Sequence, residues 1–98
     1  MALIERQDGR LLIRGAMTVD TVSALLAEGQ ALLAGMVEID LAEVGEVDSS
    51  AISLLFEWLR QGKMCNASVV YSNLPPTLIS LATLYGVLDL IPQPAAAH

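Results

Sequence analysis

The stretch SSAISLLFEWLRQ, Ser49–Gln61, constrains the fold more than any other part of the chain. On a helix turning about 100° per residue, Ser49, Ser50, Ser53, Glu57, Arg60 and Gln61 share one arc of roughly 120°. Ala51, Ile52, Leu54, Leu55, Phe56, Trp58 and Leu59 occupy the other side, with no exchange between the two sets. The apolar arc covers more than half the circumference. That is wide for contact with a single sheet. Trp58 and Leu54 stand at one border of that arc and Phe56 at the other, where apolar surface can extend onto a partner.

The segments around this helix read as strands and further helices. Ala2–Gln7 and Arg10–Arg14 are short runs joined by Asp8-Gly9, a pair that tolerates the positive φ of a tight hairpin. The second run is expected to end at Gly15. Val22, Leu25, Leu26, Leu32 and Leu33 then recur at helical spacing, with Thr18, Asp20 or Thr21 as candidate caps, Gly29 as an interior weak point and Gly35 as the stop. Val37, Ile39 and Leu41 alternate with Glu38 and Asp40, a strand with one covered face. The central helix is expected to end near Gly62. Ala67–Tyr71 is a β-branched strand, and Pro76 opens a last helix that stops at Gly86. VLDLIP, residues 87–92, must dock on the rest. The order β-β-α-β-α-β-α implies an α/β sandwich: a mixed four-stranded sheet, with one hairpin pair and right-handed parallel crossovers, covered by helices. Residues 1–92 are expected to form one domain, with 93–98 a frayed tail.

Composition narrows the function. With 98 residues, 54% of them apolar, the chain can hold a core without staples. A net charge of −6 on five basic residues, with Arg6, Arg10 and Arg14 spread out, provides no footprint for nucleic acid or anionic membrane. The only histidine is His98, so a Ser-His-Asp site lacks its base and a metal site lacks imidazole. No phosphate or dinucleotide fingerprint is present, and neither catalytic residues nor cofactor nor metal are expected. The single Cys65 reads as a small buried residue at a strand start. Apolar runs fall short of the roughly 20 residues of a membrane span, and the N-terminus lacks a leader pattern, so a cytoplasmic protein is expected. Glu38, Asp40, Glu43, Glu46 and Asp48 precede Ser49 and read as exposed loop and strand charge.

The remaining chemistry lies at Asp48-Ser49-Ser50. One reading is an N-cap by Asp48 or Ser49, with Ser49 a better candidate than Ser50. The other is a hydroxyl displayed at the positive end of a helix, open to a partner or a phosphoryl group.

VEIDLAEVGEVDSSAISLLFEWLRQGK, from Val37 to Lys63, resembles the signature of the STAS domain family. It has a strand ending in Asp-Leu, a short loop, Asp-Ser-Ser and an apolar helix, and the element order matches over nearly the whole chain. RGAMTVDTVSALL resembles the segment leading into the family's first helix, and TLISLATLYGVLDLIP resembles the C-terminal helix of the MlaB-like group. That group implies a non-catalytic accessory subunit bound to the cytoplasmic ATPase subunit of a phospholipid ABC transporter. A hydroxyl corresponding to Ser49 matters there. The anti-sigma factor antagonists of the same family imply an anti-sigma factor kinase as partner and phosphorylation at the position of Ser50. They often carry Asp where this chain has Thr18, which favours the MlaB-like comparison. The surface implied for the partner comprises Thr18, Ser49, Ser50, Ser53, Glu57 and Arg60, with Ser50 and Ser49 as positions for phosphorylation.

Overall fold

The computed structural model describes residues 4–94. Its elements are β1 (Ile4–Gln7), β2 (Arg10–Met17), α1 (Val22–Gln30), β3 (Met36–Val47), α2 (Ser49–Met64), β4 (Ser68–Ser72) and α3 (Pro76–Leu84), followed by a 3-10 turn at Leu88–Leu90. One sheet runs in the order β1-β2-β3-β4. β1 and β2 are antiparallel, and β2–β3 and β3–β4 are parallel. This is the expected mixed sheet. Asp8 and Gly9 both have positive φ, 50° and 82°, as a two-residue hairpin turn requires. Pro76 opens α3, and Ile91 is buried beyond the 3-10 turn. The amide of Tyr71 donates to the Pro92 carbonyl at 2.9 Å, so residues 87–92 dock on β4. Of the expected tail and first strand, residues 95–98 and 1–3 lie outside the described residues.

β4 is displaced by one residue from the sequence reading, and four boundaries differ by two residues or more. β2 continues to Met17 and β3 to Val47, because their second halves pair with each other: Arg14 with Glu43, Gly15 with Val44, Met17 with Val47. The register shifts between Leu12 and Arg14, so an irregularity breaks the two-residue period after Leu41 and hides the continuation. α1 ends at Gln30 rather than running to Gly35, and Leu33 enters the core from the following turn. α2 runs past Gly62 to Met64, leaving Cys65 exposed at its C-cap rather than buried at a strand start.

Nor are the acidic residues before Ser49 merely solvated charge. Asp40 is only 8% exposed. It accepts hydrogen bonds from the Ala42 amide (2.9 Å) and Asn73 Nδ2 (3.0 Å), and pairs with Arg10 at 3.4 Å. It therefore ties β3 to β2 and to the turn before α3. Glu38 and Glu43 form ion pairs with Arg10 and Arg14 across the sheet.

Trp58 and Tyr71 are the largest fully buried side chains. The Tyr71 hydroxyl donates to the Leu55 carbonyl at 2.6 Å, fastening β4 to α2, and burial pushes its pKa up. Trp58 lies wholly inside rather than at a contact edge. Its indole rests directly on Gly29 of α1, where a Cβ would stand 2.6 Å from Trp58 Cζ2 and Nε1. The glycine that weakens α1 as an isolated helix thus makes the room that the indole of α2 occupies.

Gly29→Ala should raise helix propensity by about 1 kcal/mol yet overpack the indole, an effect of typically about 1–3 kcal/mol. A net loss of stability in urea unfolding is expected, and a net gain would show that the ring yields easily.

Candidate functional site

The N-terminus of α2 is set by Asp48, not Ser49. Asp48 takes the extended N-cap conformation, and its Oδ1 accepts from the Ser50 amide at 2.8 Å. Its Oδ2 accepts from the Val19 amide at 3.0 Å, and its own amide donates to the Met17 carbonyl at 3.3 Å. One carboxylate therefore caps α2 and holds the β2–α1 loop against it. These bonds, from Val19 first and then from Ser50, lower the Asp48 pKa below its ordinary 3.8 against a smaller opposing effect of desolvation.

The loop that Asp48 holds has its own internal bracing. Thr21 stands at the N-cap of α1, but its hydroxyl does not cap. It donates to the Ala16 carbonyl at 2.8 Å and accepts from the Thr18 amide at 3.0 Å. Thr18 is half-buried in this loop, and Val19 beside it is 69% exposed.

The structure divides the expected partner residues among three places. Ser49 is exposed at the start of α2, close to the loop carrying Thr18 and Val19. Ser50, Ser53 and Glu57 descend one side of α2 and line a shallow groove of about 380 Å³, whose opposite wall is Val22, Ser23 and Leu26 of α1. Arg60 turns away to the other flank of α2, beside Lys63 and β4. It remains linked to the groove only through Glu57, with Nε at 2.9 and 3.0 Å from the two carboxylate oxygens. Those bonds, ahead of the charge attraction, hold Glu57 below its ordinary carboxyl pKa.

Sequence reasoning missed the α1 wall and the Val19 contact. The spacing of Val22 and Leu26 showed an apolar face on α1, but nothing local indicated that its margin would meet the serine side of α2. The groove has an apolar floor, hydroxyls from Ser23, Ser50 and Ser53, and one carboxylate. This composition suits contact with a protein surface. Among the described residues no group of three or more His, Cys, Asp or Glu is placed to hold a metal.

This architecture and the Asp-Ser-Ser helix start define a STAS domain, and the chain belongs to that family. The family's model, described as "Mlab, STAS domain", matches residues 2–92. Among solved structures, the chain is similar to the anti-sigma factor antagonist SpoIIAA in its unphosphorylated form, with a TM-score of 0.71 at 13% identity over 94% of this chain and 86% of that one. The phosphorylated form of SpoIIAA, the Bacillus cell fate determinant, gives 0.65 at 15% identity over 94% and 89%. Mglu gives 0.57 at 20% identity, over 74% of this chain but 19% of that chain. At these identities the likeness is one of fold. No curated protein matches the chain.

Replacing Asp48 by Ala should lower stability more than Ser49→Ala, which removes no hydrogen bond of the cap. Because the folded-state pKa of Asp48 is depressed, its contribution is complete above 3.8 and is lost as pH falls through the lower folded value. The difference in unfolding midpoint between wild type and Asp48→Asn should therefore shrink below pH 3.8. A difference independent of pH would assign the effect to packing alone.

Proposed function

We propose that the chain is a non-catalytic accessory subunit that binds the ATPase subunit of an ABC-type phospholipid transporter through the first half of α2. The observation that carries this reading is the groove formed by Ser50, Ser53 and Glu57 with Val22, Ser23 and Leu26, on a chain matched by the MlaB-type model over residues 2–92. The contact surface comprises that groove and the adjoining rim of Thr18, Val19 and Ser49. Leu26 and Val22 supply apolar contact and the hydroxyls fix register, the usual division between anchors and rim. Asp48 holds both halves of the surface in place without needing to touch the partner. Phospholipid is handled elsewhere in the complex. Among the described residues no helix is long and apolar enough to cross a membrane. We place the protein in the cytoplasm, at the inner membrane by way of the transporter.

The test is co-purification from the native host. An ABC ATPase should be recovered with the wild-type chain. Ser53→Arg, a change at an exposed position, should weaken its capture by at least about tenfold while leaving thermal stability unchanged. Recovery of a kinase-type anti-sigma factor in place of an ATPase would overturn the assignment.

A second reading is supported by the position of Ser50 and by the likeness to SpoIIAA in two phosphorylation states. In it the chain is an anti-sigma factor antagonist, released from its partner when Ser50 is phosphorylated. A phosphoryl group on Ser50 would add negative charge to a groove already lined by Glu57, changing both its shape and its charge. Incubation with that kinase and ATP should then raise the intact mass by one phosphate, and Ser50→Ala but not Ser49→Ala should prevent it. Unchanged mass under these conditions and in protein isolated from cells would eliminate the reading.

A further inference from the structure

No lysine, arginine or histidine lies between Arg14 and Arg60, whereas eight of the eleven acidic residues do. That stretch builds both walls of the serine groove, Val22 to Leu26 on α1 and Ser50 to Glu57 on α2. Most of its carboxylates are engaged away from the groove. Glu38, Asp40 and Glu43 pair with Arg10 and Arg14 on the sheet, and Glu28 accepts from the Ile4 amide at 3.0 Å. Asp48 is taken up by the amides of Val19 and Ser50. Glu57 is the acid that lines the groove itself, and Asp20 is exposed in the loop that forms its rim.

Arg60 meets Glu57 from the other flank of α2, where it lies with Lys63 in a separate depression against β4. The Arg60 side chain is 62% exposed and that of Glu57 29%, so the cation stands in solvent while the anion is drawn toward the groove. A carboxylate oxygen accepts about two hydrogen bonds. Glu57 Oε1 takes two from Arg60, from Nε and from an amino group, and Oε2 takes one from Nε at 3.0 Å. Oε2 therefore has capacity for a further donor.

A partner that covers the groove takes water from Glu57. A carboxylate that loses water without a matching charge is costly, and an exposed ion pair such as that with Arg60 offsets little of it. A partner cation makes good the loss, whereas a partner carboxylate adds repulsion, so Glu57 selects by charge. The apolar part of the groove lies one turn away. Leu54 and Glu57 are three residues apart, about 4.5 Å along the helix.

We propose that the groove receives a partner segment carrying an aliphatic side chain and, about one helical turn away, an arginine or lysine. The aliphatic group packs on Leu26 and Leu54, and the cation donates to Glu57 Oε2. Arg60 is then a like-charged neighbour that moderates affinity rather than a contact. The inference rests on the reading of this groove as a protein-docking surface, and not on which partner docks there.

The probes are helix-stapled, alanine-based peptides with two leucines one turn apart and, one turn further on, arginine, norleucine or glutamate. Each is titrated into the full chain and followed by amide shifts. The arginine peptide should bind about tenfold more tightly than the norleucine peptide, the worth of one charge-assisted bond, and the glutamate peptide should bind most weakly. Shifts should centre on Ser50, Ser53 and Glu57. Glu57→Gln should erase the preference for arginine over norleucine. Arg60→Gln should tighten the arginine peptide by about two- to fivefold, the scale of an exposed ion pair. Lys63→Gln, which removes the same charge without touching Glu57, should change it less. The proposal fails if arginine and norleucine peptides bind alike, if no peptide binds, if Glu57→Gln keeps the preference, or if shifts centre on Lys63 and β4. Equal effects of Arg60→Gln and Lys63→Gln would refute the role given to Arg60. Synthetic peptides separate these outcomes from co-purification. An ATPase recovered by a chain that shows no charge preference leaves the transporter reading standing and overturns this one; a charge preference in a chain that recovers an anti-sigma factor does the reverse.

Discussion

The seating of Trp58 on Gly29 is the contact on which the remaining geometry depends. It brings α1 and α2 closer than any side chain at residue 29 would permit. That approach fixes the crossing of the two helices, and the crossing places the Val22–Leu26 margin opposite Ser50, Ser53 and Glu57. A groove suited to a protein partner therefore follows from a packing event in the core. The indole nitrogen meets no acceptor among the described residues, so the ring is held there by shape and apolar contact rather than by a polar bond.

Two aspartates, one within β3 and one just past its end, perform complementary tasks. Asp40 ties β3 to β2 and to the turn before α3, while Asp48 ties the end of β3 and the start of α2 to the β2–α1 loop. Each uses more than one oxygen lone pair to join segments remote in sequence. Carboxylates do this well because they accept several hydrogen bonds at once and gain from backbone donors. The acidic run that looks like solvated charge in one dimension contains two of the fold's fasteners.

The Glu57–Arg60 pair sits on the ridge between two surfaces of different character. Glu57 lines the hydroxyl-bearing groove against α1, and Arg60 lines the basic groove against β4. The two flanks of α2 are therefore joined electrostatically, though the exposed pair is a weak link in energetic terms.

Local sequence by itself determined the elements and most of their order. The Asp8-Gly9 turn, the segregated face of α2, the alternation of β3 up to Leu41 and Pro76 at the start of α3 each state their role within a few residues. The Asp-Ser-Ser motif likewise marked the family. What escaped were features set by contacts between distant segments. The second half of β3 was hidden because pairing with β2 through a register shift, rather than a two-residue alternation, makes it a strand. Arg60 shared the polar stripe on a helical projection but faces a different groove, because a projection shows angle and not which neighbour fills it. Asp48 and Ser49 read as alternative caps, and the choice follows from a fold that offers Asp48 a second donor in Val19, twenty-nine positions away. Periodicity is a property of one segment and survives in the sequence. Which faces meet is decided by packing, and only the tertiary structure contains it.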